Sequence, residues 1–311
     1  RLGKELNWNQ ETDLNWDQNY PKDQSPSDMS FNPFAGYAPF ETLTEEQKLR
    51  FGWHYQAWTL SQFLHGEQGA LLVASQLVSC APTFDAKLYA SSQTFDEARH
   101  VETFNRYLQE KIQIMYPITP HLKSLIDKVL SDARWDLKFI GMQIVIEGLA
   151  LAAFNTMRLT CLDPLLKDLI YLVTRDEARH VTFGVNYLEY IVKHLSPAEI
   201  EERAQFAYEA CVVMRERLIA TEVFAEFGWD VEAARKHMLE SSVMQYFNKF
   251  LFTRIIPNLA RIGLLTDSVR PKFEALGILE YENLVSDGDI DWAVLSESLY
   301  QETASEVDIL P

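Results

Sequence analysis

The pentapeptide Asp-Glu-Ala-Arg-His occurs twice, as Asp96–His100 and Asp176–His180, and each copy is preceded by a glutamate, Glu67 or Glu147, at the same distance. Glu97 follows Glu67 by 30 residues, Glu177 follows Glu147 by 30, and the two units are offset by 80. A duplication of this kind restricts the fold severely. The segments around all four glutamates carry apolar residues at helical spacing with almost no Gly or Pro inside them, so each unit predicts a pair of helices. Pro82 lies 15 residues from both Glu67 and Glu97. At about 1.5 Å rise per residue both glutamates return to one height, roughly 22 Å from that turn, in an antiparallel hairpin. The turn at Asp163 and Pro164 does the same for Glu147 and Glu177.

The rest of the chain is read around these hairpins. Residues 1–43, rich in Asn, Asp, Pro and Trp, show no helical period and are expected to form an extended arm on the body or on a partner. Helices are expected over about 44–80, 82–116, 132–161 and 164–195, with a crossover through 117–131. Ser196-Pro197 opens a further helix to about 227, and Asp230 caps another to about 263 with a kink at Pro257. A helical domain thus covers 44–263, with the bundle at 44–195 and extra helices at 197–263. Residues 264–311 read as short helices and loops.

Composition excludes several functions. A formal charge of −17 over 311 residues repels phosphate backbones and anionic membranes, so nucleic acid is not an expected partner. The longest apolar stretch, from Ile140 to Phe154, is broken by Gln143 and Glu147, and no membrane span is expected. Cys80, Cys161 and Cys211 are odd in number and form no Cys-x-x-Cys pair, which fits a reducing, cytoplasmic setting. No signal-peptide pattern is read, and the sequence opens at Arg1 rather than at a Met.

Glu97 and His100 are three residues apart, as are Glu177 and His180, so each pair leaves one face of its helix and can hold or bridge one metal ion. Four helices then bring four carboxylates and two imidazoles to the middle of one bundle. Burying four acids there without cations is prohibitive. Two divalent ions restore the balance, and an oxygen-rich set with imidazole suits iron or manganese. Asp96 and Asp176 are placed to accept from the far N–H of the histidine on the opposite hairpin, and Arg99 and Arg179 to hold those aspartates. His54, His65, His121, His194 and His237 fall off the ligand faces.

This pattern resembles the ferritin-like di-iron carboxylate superfamily, over roughly residues 44–195. The Arg before each His is most similar to hydroxylase subunits of bacterial multicomponent monooxygenases and to soluble acyl-carrier desaturases. The resemblance implies an all-α fold, a ferritin-like four-helix bundle with a crossover between two hairpins plus additional C-terminal helices. It also implies two iron ions per chain, with Mn/Fe as a variant, held by Glu67, Glu97, His100, Glu147, Glu177 and His180. Glu97 and Glu177 become the bridging or near-bridging, catalytic carboxylates, with Glu67 and Glu147 more terminal, and the activity a non-haem oxygenase or oxidase using O2 on a small or lipid-like organic substrate. Electrons are expected from a separate reductase or ferredoxin, since no flavin or nucleotide fingerprint is present, and the chain is expected to be a homodimer. A ribonucleotide-reductase-small-subunit-like or ligand-binding oxidase protein, and a ferroxidase or iron-storage protein, are the alternatives.

The departures from that pattern bear on chemistry. Phe104 stands where reductase small subunits carry a radical tyrosine, leaving Tyr107 or Tyr187 as redox candidates. Ala150 and Leu151 stand where monooxygenases and desaturases carry a threonine one turn after the third carboxylate. No third ligand histidine is evident on the helix opened by Pro197. The repeat itself is asymmetric: Phe104 in the first unit answers to Gly184 in the second. Phe104, Gly184, Ala150 and Leu151 are therefore the expected substrate-side residues. Gly184 either opens the site to O2 and substrate or lets a neighbouring helix approach.

Overall fold

A computed structural model of the chain describes residues 7–216 and 218–289. It is all-helical, with a single isolated β-bridge between Ser27 and Cys161 among the described residues. Helix α1, Glu45–Cys80, starts at a capping box in which Thr44 accepts from the Gln47 amide and Gln47 from the Thr44 amide. It pairs with α2, Phe84–Tyr107, which is capped by Thr83. After α3, Pro120–Ser131, the second hairpin consists of α4, Trp135–Thr160, and α5, Pro164–Val192. Asp163 caps α5 with Pro164 in its first turn, where the missing N–H costs nothing.

The helix expected to reach about 116 is shorter. A π-helical turn, Leu108–Ile112, follows α2, and Gln113 in the left-handed region (φ 65°) closes it by donating its amide to Leu108 O. The chain then runs extended to Thr119, and the crossover contains a helix of its own. The helix expected over 197–227 divides into α6, Pro197–Glu216, and α7, Thr221–Glu226. The next helix is interrupted at Ser241, not at Pro257: Ser241 ends α8, Val231–Glu240, and its hydroxyl caps α9, Ser242–Arg261, which continues through Pro257. A serine hydroxyl that accepts the Met244 amide offers the chain a new helix start, and this competes well with continuing the old one. Beyond α9 lie α10, Arg270–Ala275, and two short 3-10 turns; residues 290–311 fall outside the described ones.

The segment Trp135–Thr160 is long and apolar enough to cross a membrane, yet all of its apolar window is buried inside the bundle. Its middle, Ile140–Ile146, is π-helical and ends directly before Glu147. Such a wide turn changes the direction of the residues that follow it and is frequent beside functional sites.

The N-terminal segment is extended with single helical turns at Gln10–Asp13 and Ala38–Glu41, and it lies on the bundle. Trp8, Leu14, Phe34 and Phe40 are buried. Between them the chain is tied to the end of α4, where Asp28 N donates to Thr160 O and Leu162 N to Pro26 O, at 2.8 and 2.9 Å.

Candidate metal centre

The two hairpins bring Glu67, Glu97, Glu147, Glu177, His100 and His180 to one buried point. Glu67, Glu97, His100 and Glu177 offer ligand atoms all within 4.8 Å of one another, and so do Glu97, Glu147, Glu177 and His180. Glu97 and Glu177 belong to both sets. The imidazoles turn Nδ1 inward: His100 Nδ1 lies 3.3 Å from Glu67, 3.4 Å from Glu97 and 3.1 Å from Glu177. His180 Nδ1 lies 3.2 Å from Glu97 and 3.5 Å from Glu177.

Both Nε2 atoms point outward and across the hairpins, His100 to Asp176 at 3.0 Å and His180 to Asp96 at 3.3 Å. Arg99 Nη2 donates to both aspartates at 2.7 Å, and Arg179 Nη2 donates to Asp176 at 2.5 Å and Asp96 at 3.4 Å. The aspartates fix which imidazole nitrogen is free to face the centre, and the arginines fix the aspartates.

Electrostatics test whether this set suits metal ions. Six carboxylates against two guanidiniums leave four negative charges, which two divalent cations cancel. Without them, burial and then the neighbouring Glu177 push the Glu67 carboxyl well above its ordinary range; burial, Glu177 and Glu97 do the same to Glu147. Burial opposes charge on His100, but the facing carboxylates of Asp176, Glu177, Glu67 and Glu97 outweigh it and raise the imidazole well above the usual value. His180 is raised likewise, burial being overcome by Tyr89, Glu177 and Asp96. Burial would also raise Glu97, yet His100 and His180 hold it below the carboxylate range. Glu97 Oε2, Glu147 Oε2, both Glu177 oxygens and His180 Nδ1 are buried without hydrogen-bond partners. Orphaned acceptors converging on one point fit cations and little else.

The flanks differ from the expected ones. Gly184 does not open the site: a methyl group there would sit 2.7 Å from Gln143 Cβ, so this glycine serves the close approach of α5 to the π turn of α4. Phe104 is fully buried, stacked near Phe154 with ring centres 6.0 Å apart, and Leu151 is buried too. Of the four expected substrate-side residues, Ala150 alone lines the cavity that reaches the carboxylates. That cavity, about 20 Å3, lies between α1 and α4 and is bordered by Gly66, Ala70, Ala150, Glu67, Glu147 and Glu177. It has room for about one molecule the size of water or O2.

Four further residues at the centre carry no motif in the sequence. Gln93, one turn before Glu97, donates Nε2 to Glu97 at 3.1 Å and to Glu147 at 2.9 Å, and accepts from Gln143 Nε2 at 3.1 Å. The residues 80 positions away from these glutamines are Val173 and Phe63, so comparing the two repeat units position by position would have singled them out. Tyr89 meets the His180 ring edge-on at 6.4 Å, whereas Tyr107 bonds Asp163 and Tyr187 bonds Thr83, both near the hairpin turns. Trp8, from the arm, donates Nε1 to Asp176 at 2.7 Å, stacks on His100 and lies under the Arg99 guanidinium.

A helical bundle that gathers four glutamates and two histidines between two hairpins defines a ferritin-like protein with a two-metal carboxylate centre. The chain belongs to the family described as p-aminobenzoate N-oxygenase AurF, whose sequence profile matches residues 2–263. It is an O2-dependent di-iron oxidoreductase that oxidises an organic substrate. No curated protein sequence matches it. Similar solved structures include two variants of an R2-like ligand-binding oxidase. One, with an anaerobically reconstituted Mn/Fe cofactor, is 19% identical at a TM-score of 0.47, over 80% of this chain and 90% of that one. The other, with an aerobically reconstituted Mn/Fe cofactor, is 18% identical at 0.43, over 78% and 98%.

Proposed function

We propose that the chain is an amine N-oxygenase whose two iron ions are held by Glu67, Glu97, His100, Glu147, Glu177 and His180. The observation that carries the ligand assignment is the overlap of the two four-residue sets at Glu97 and Glu177, with unpartnered carboxylate oxygens facing the overlap. Amine oxygenation is supported by the family, whose described member acts on p-aminobenzoate. In such a reaction one atom of O2 becomes bonded to the amine nitrogen. The other leaves as water, with two electrons and two protons supplied by a reductant.

Bound iron supplies the reduction of O2. The chain's own residues supply position and dryness. Asp96 and Asp176 hold the imidazoles in one tautomer, Arg99 and Arg179 hold the aspartates, and Gln93 bridges Glu97 and Glu147. The cavity beside Ala150 and Gly66 gives O2 room against Glu67, Glu147 and Glu177. Phe63 and Phe154, edge to face at 4.7 Å, keep bulk water from that side. A separate reductase or ferredoxin as electron donor, a homodimeric assembly and a cytoplasmic setting belong to the same proposal. The acidic net charge and the absence of a disulfide among the described cysteines are compatible with that setting.

The test is turnover of iron-loaded protein with a chemical reductant, an arylamine and 18O2, followed by mass spectrometry. One 18O atom on nitrogen is expected. Oxygen found on ring carbon, or iron oxidised with no organic product, would overturn the N-oxygenase reading.

A further inference from the structure

A second and much larger cavity, about 470 Å3, lies under the arm segment 25–34 and shares two wall residues, Gln62 and Phe63, with the small cavity at the centre. It follows the groove between α1 and α4. On α1 the wall passes from Phe63 through Thr59 and Gln56 to Gly52, and on α4 from Ala153 through Thr156 to Thr160. These are successive turns on one face of each helix. From Phe63 to Gly52 this amounts to roughly 16 Å of channel.

The walls are overwhelmingly apolar, and the charged residues among them are few. Asp28 and Lys48 are the ionic lining residues described. Lys48 Nζ is 3.0 Å from Glu45, and Asp28 accepts from the Ser30 amide. Lys48 already has an acidic partner, and Asp28 is itself an anion that would repel a carboxylate. One buried polar group in the wall lacks a partner: Gln56, 4% exposed, accepts from Ser27 Oγ at 2.9 Å, while its Nε2 donates to nothing. A buried amide donor left unpaired is unfavourable, and a ligand oxygen would satisfy it. The mouth carries Met29, Phe31, Leu159 and Tyr246, all exposed at 44–54%. Large apolar side chains held in water around an opening mark the entry of an apolar molecule.

We propose that this cavity is the substrate channel, that Phe63 separates it from the metal centre, and that it takes an elongated, uncharged, mostly apolar molecule bearing an oxygen acceptor for Gln56. A cavity of this volume suits a drug-sized ligand, and a single-ring carboxylate would leave most of it empty while burying its charge without a partner. This substrate class rests on the oxygenase reading above, but its binding is measurable without turnover.

The experiment is calorimetric titration of anaerobic, iron-loaded protein with 4-aminobenzoate and with its n-alkyl esters from ethyl to octyl. Affinity is expected to rise about fourfold per added methylene, the equivalent of ~0.8 kcal/mol, until the tail reaches the rim. The acid should bind more weakly than any ester. Gln56→Met should weaken every ester several-fold and leave n-alkylbenzenes, which lack the acceptor, unchanged. Thr156→Trp, on a half-buried part of the wall, should weaken the octyl ester by about tenfold and spare the ethyl ester. The channel assignment is overturned if the acid binds as tightly as the octyl ester. It is equally overturned if Thr156→Trp, with iron content and helicity intact, binds the octyl ester as wild type does. Esters that bind with the expected pattern yet yield no N-oxygenated product would leave the channel standing and remove the amine reading.

Discussion

Trp8 donates its indole N–H to Asp176 across 2.7 Å, and Asp176 in turn faces His100, so a residue of the N-terminal arm is the outermost link in a chain that ends at the metal centre. The same ring stacks on His100 and carries Arg99 over its face at 4.7 Å. Trp8→Phe keeps the stacking and removes the donor. Changing an outer partner of this kind lowers metal affinity by roughly 10–100-fold, and about tenfold is expected here because Arg99 and Arg179 still hold Asp176. Competition with a chelator would measure it. Unaltered affinity would show that the arm covers the centre without tuning it.

Metal binding should expel protons. Glu67, Glu147, His100 and His180 all have raised pKa values in the metal-free protein, and all must be deprotonated to act as ligands. Titration with manganese(II), which avoids oxidation by air, is expected to release up to four protons per chain and to bind more tightly as pH rises. The stability of metal-free protein should move the other way. A group whose pKa is raised by folding stabilises fully below its unfolded value, about 4.3 for Glu and 6.5 for His, and loses that contribution as pH climbs through the folded one. Glu97 and Asp176, held low, lose theirs only in stronger acid. The Tm of metal-free protein should therefore fall from mildly acidic to alkaline pH, while the gain in Tm on adding manganese widens. A constant gain across pH would contradict the proton count.

The repeat made the meeting of these six side chains readable because its information is periodic: an interval of 30 residues with a turn at the middle places two side chains level, whatever the intervening sequence. What surrounds the ligands was not readable in the same way. Gln93 and Gln143 look like ordinary polar positions on amphipathic helices, and only their meeting across the bundle gives them a role. The π turn before Glu147 has no local sequence signal, since all its residues are buried apolar or small ones apart from Gln143. Trp8 is 168 residues from its acceptor, and no pattern in an irregular arm specifies such a partner. The helix break falls where a short polar cap, Ser241, starts a new helix, and not at the proline.

Shared and unshared carboxylates should behave differently on substitution. Glu97 and Glu177 stand in both four-residue sets, whereas Glu67 stands in one and Glu147 in the other. Glu97→Ala or Glu177→Ala is expected to abolish binding of both ions, whereas His180→Ala removes a donor from one set only and should leave about one. Glu67→Ala or Glu147→Ala should leave about one tightly bound ion, because the other set keeps all its donors. Iron-to-protein ratios after desalting would decide the matter. Two ions retained in Glu97→Ala would remove the assignment altogether.

Two helix glycines near the centre make opposite predictions. Gly184 is pressed against Gln143, and the methyl of Gly184→Ala would lie 2.7 Å from Gln143 Cβ, so α5 and the π turn must separate. Overpacking of this kind costs about 1–3 kcal/mol, and it would also draw Gln143 from Gln93, which holds Glu97 and Glu147. A lower Tm together with weaker iron binding is expected. Gly66→Ala meets nothing within 4 Å, and replacing glycine inside a helix stabilises by up to about 1 kcal/mol. Yet Gly66 borders the 20 Å3 cavity, and its added methyl takes up part of that space. Gly66→Ala is therefore expected to be more stable and to bind iron normally while reacting more slowly with O2, as followed by stopped-flow oxidation of the iron-loaded, reduced protein. If instead Gly184→Ala slowed the O2 reaction with stability and iron content unchanged, the open side of the centre would lie at α5 and not between α1 and α4.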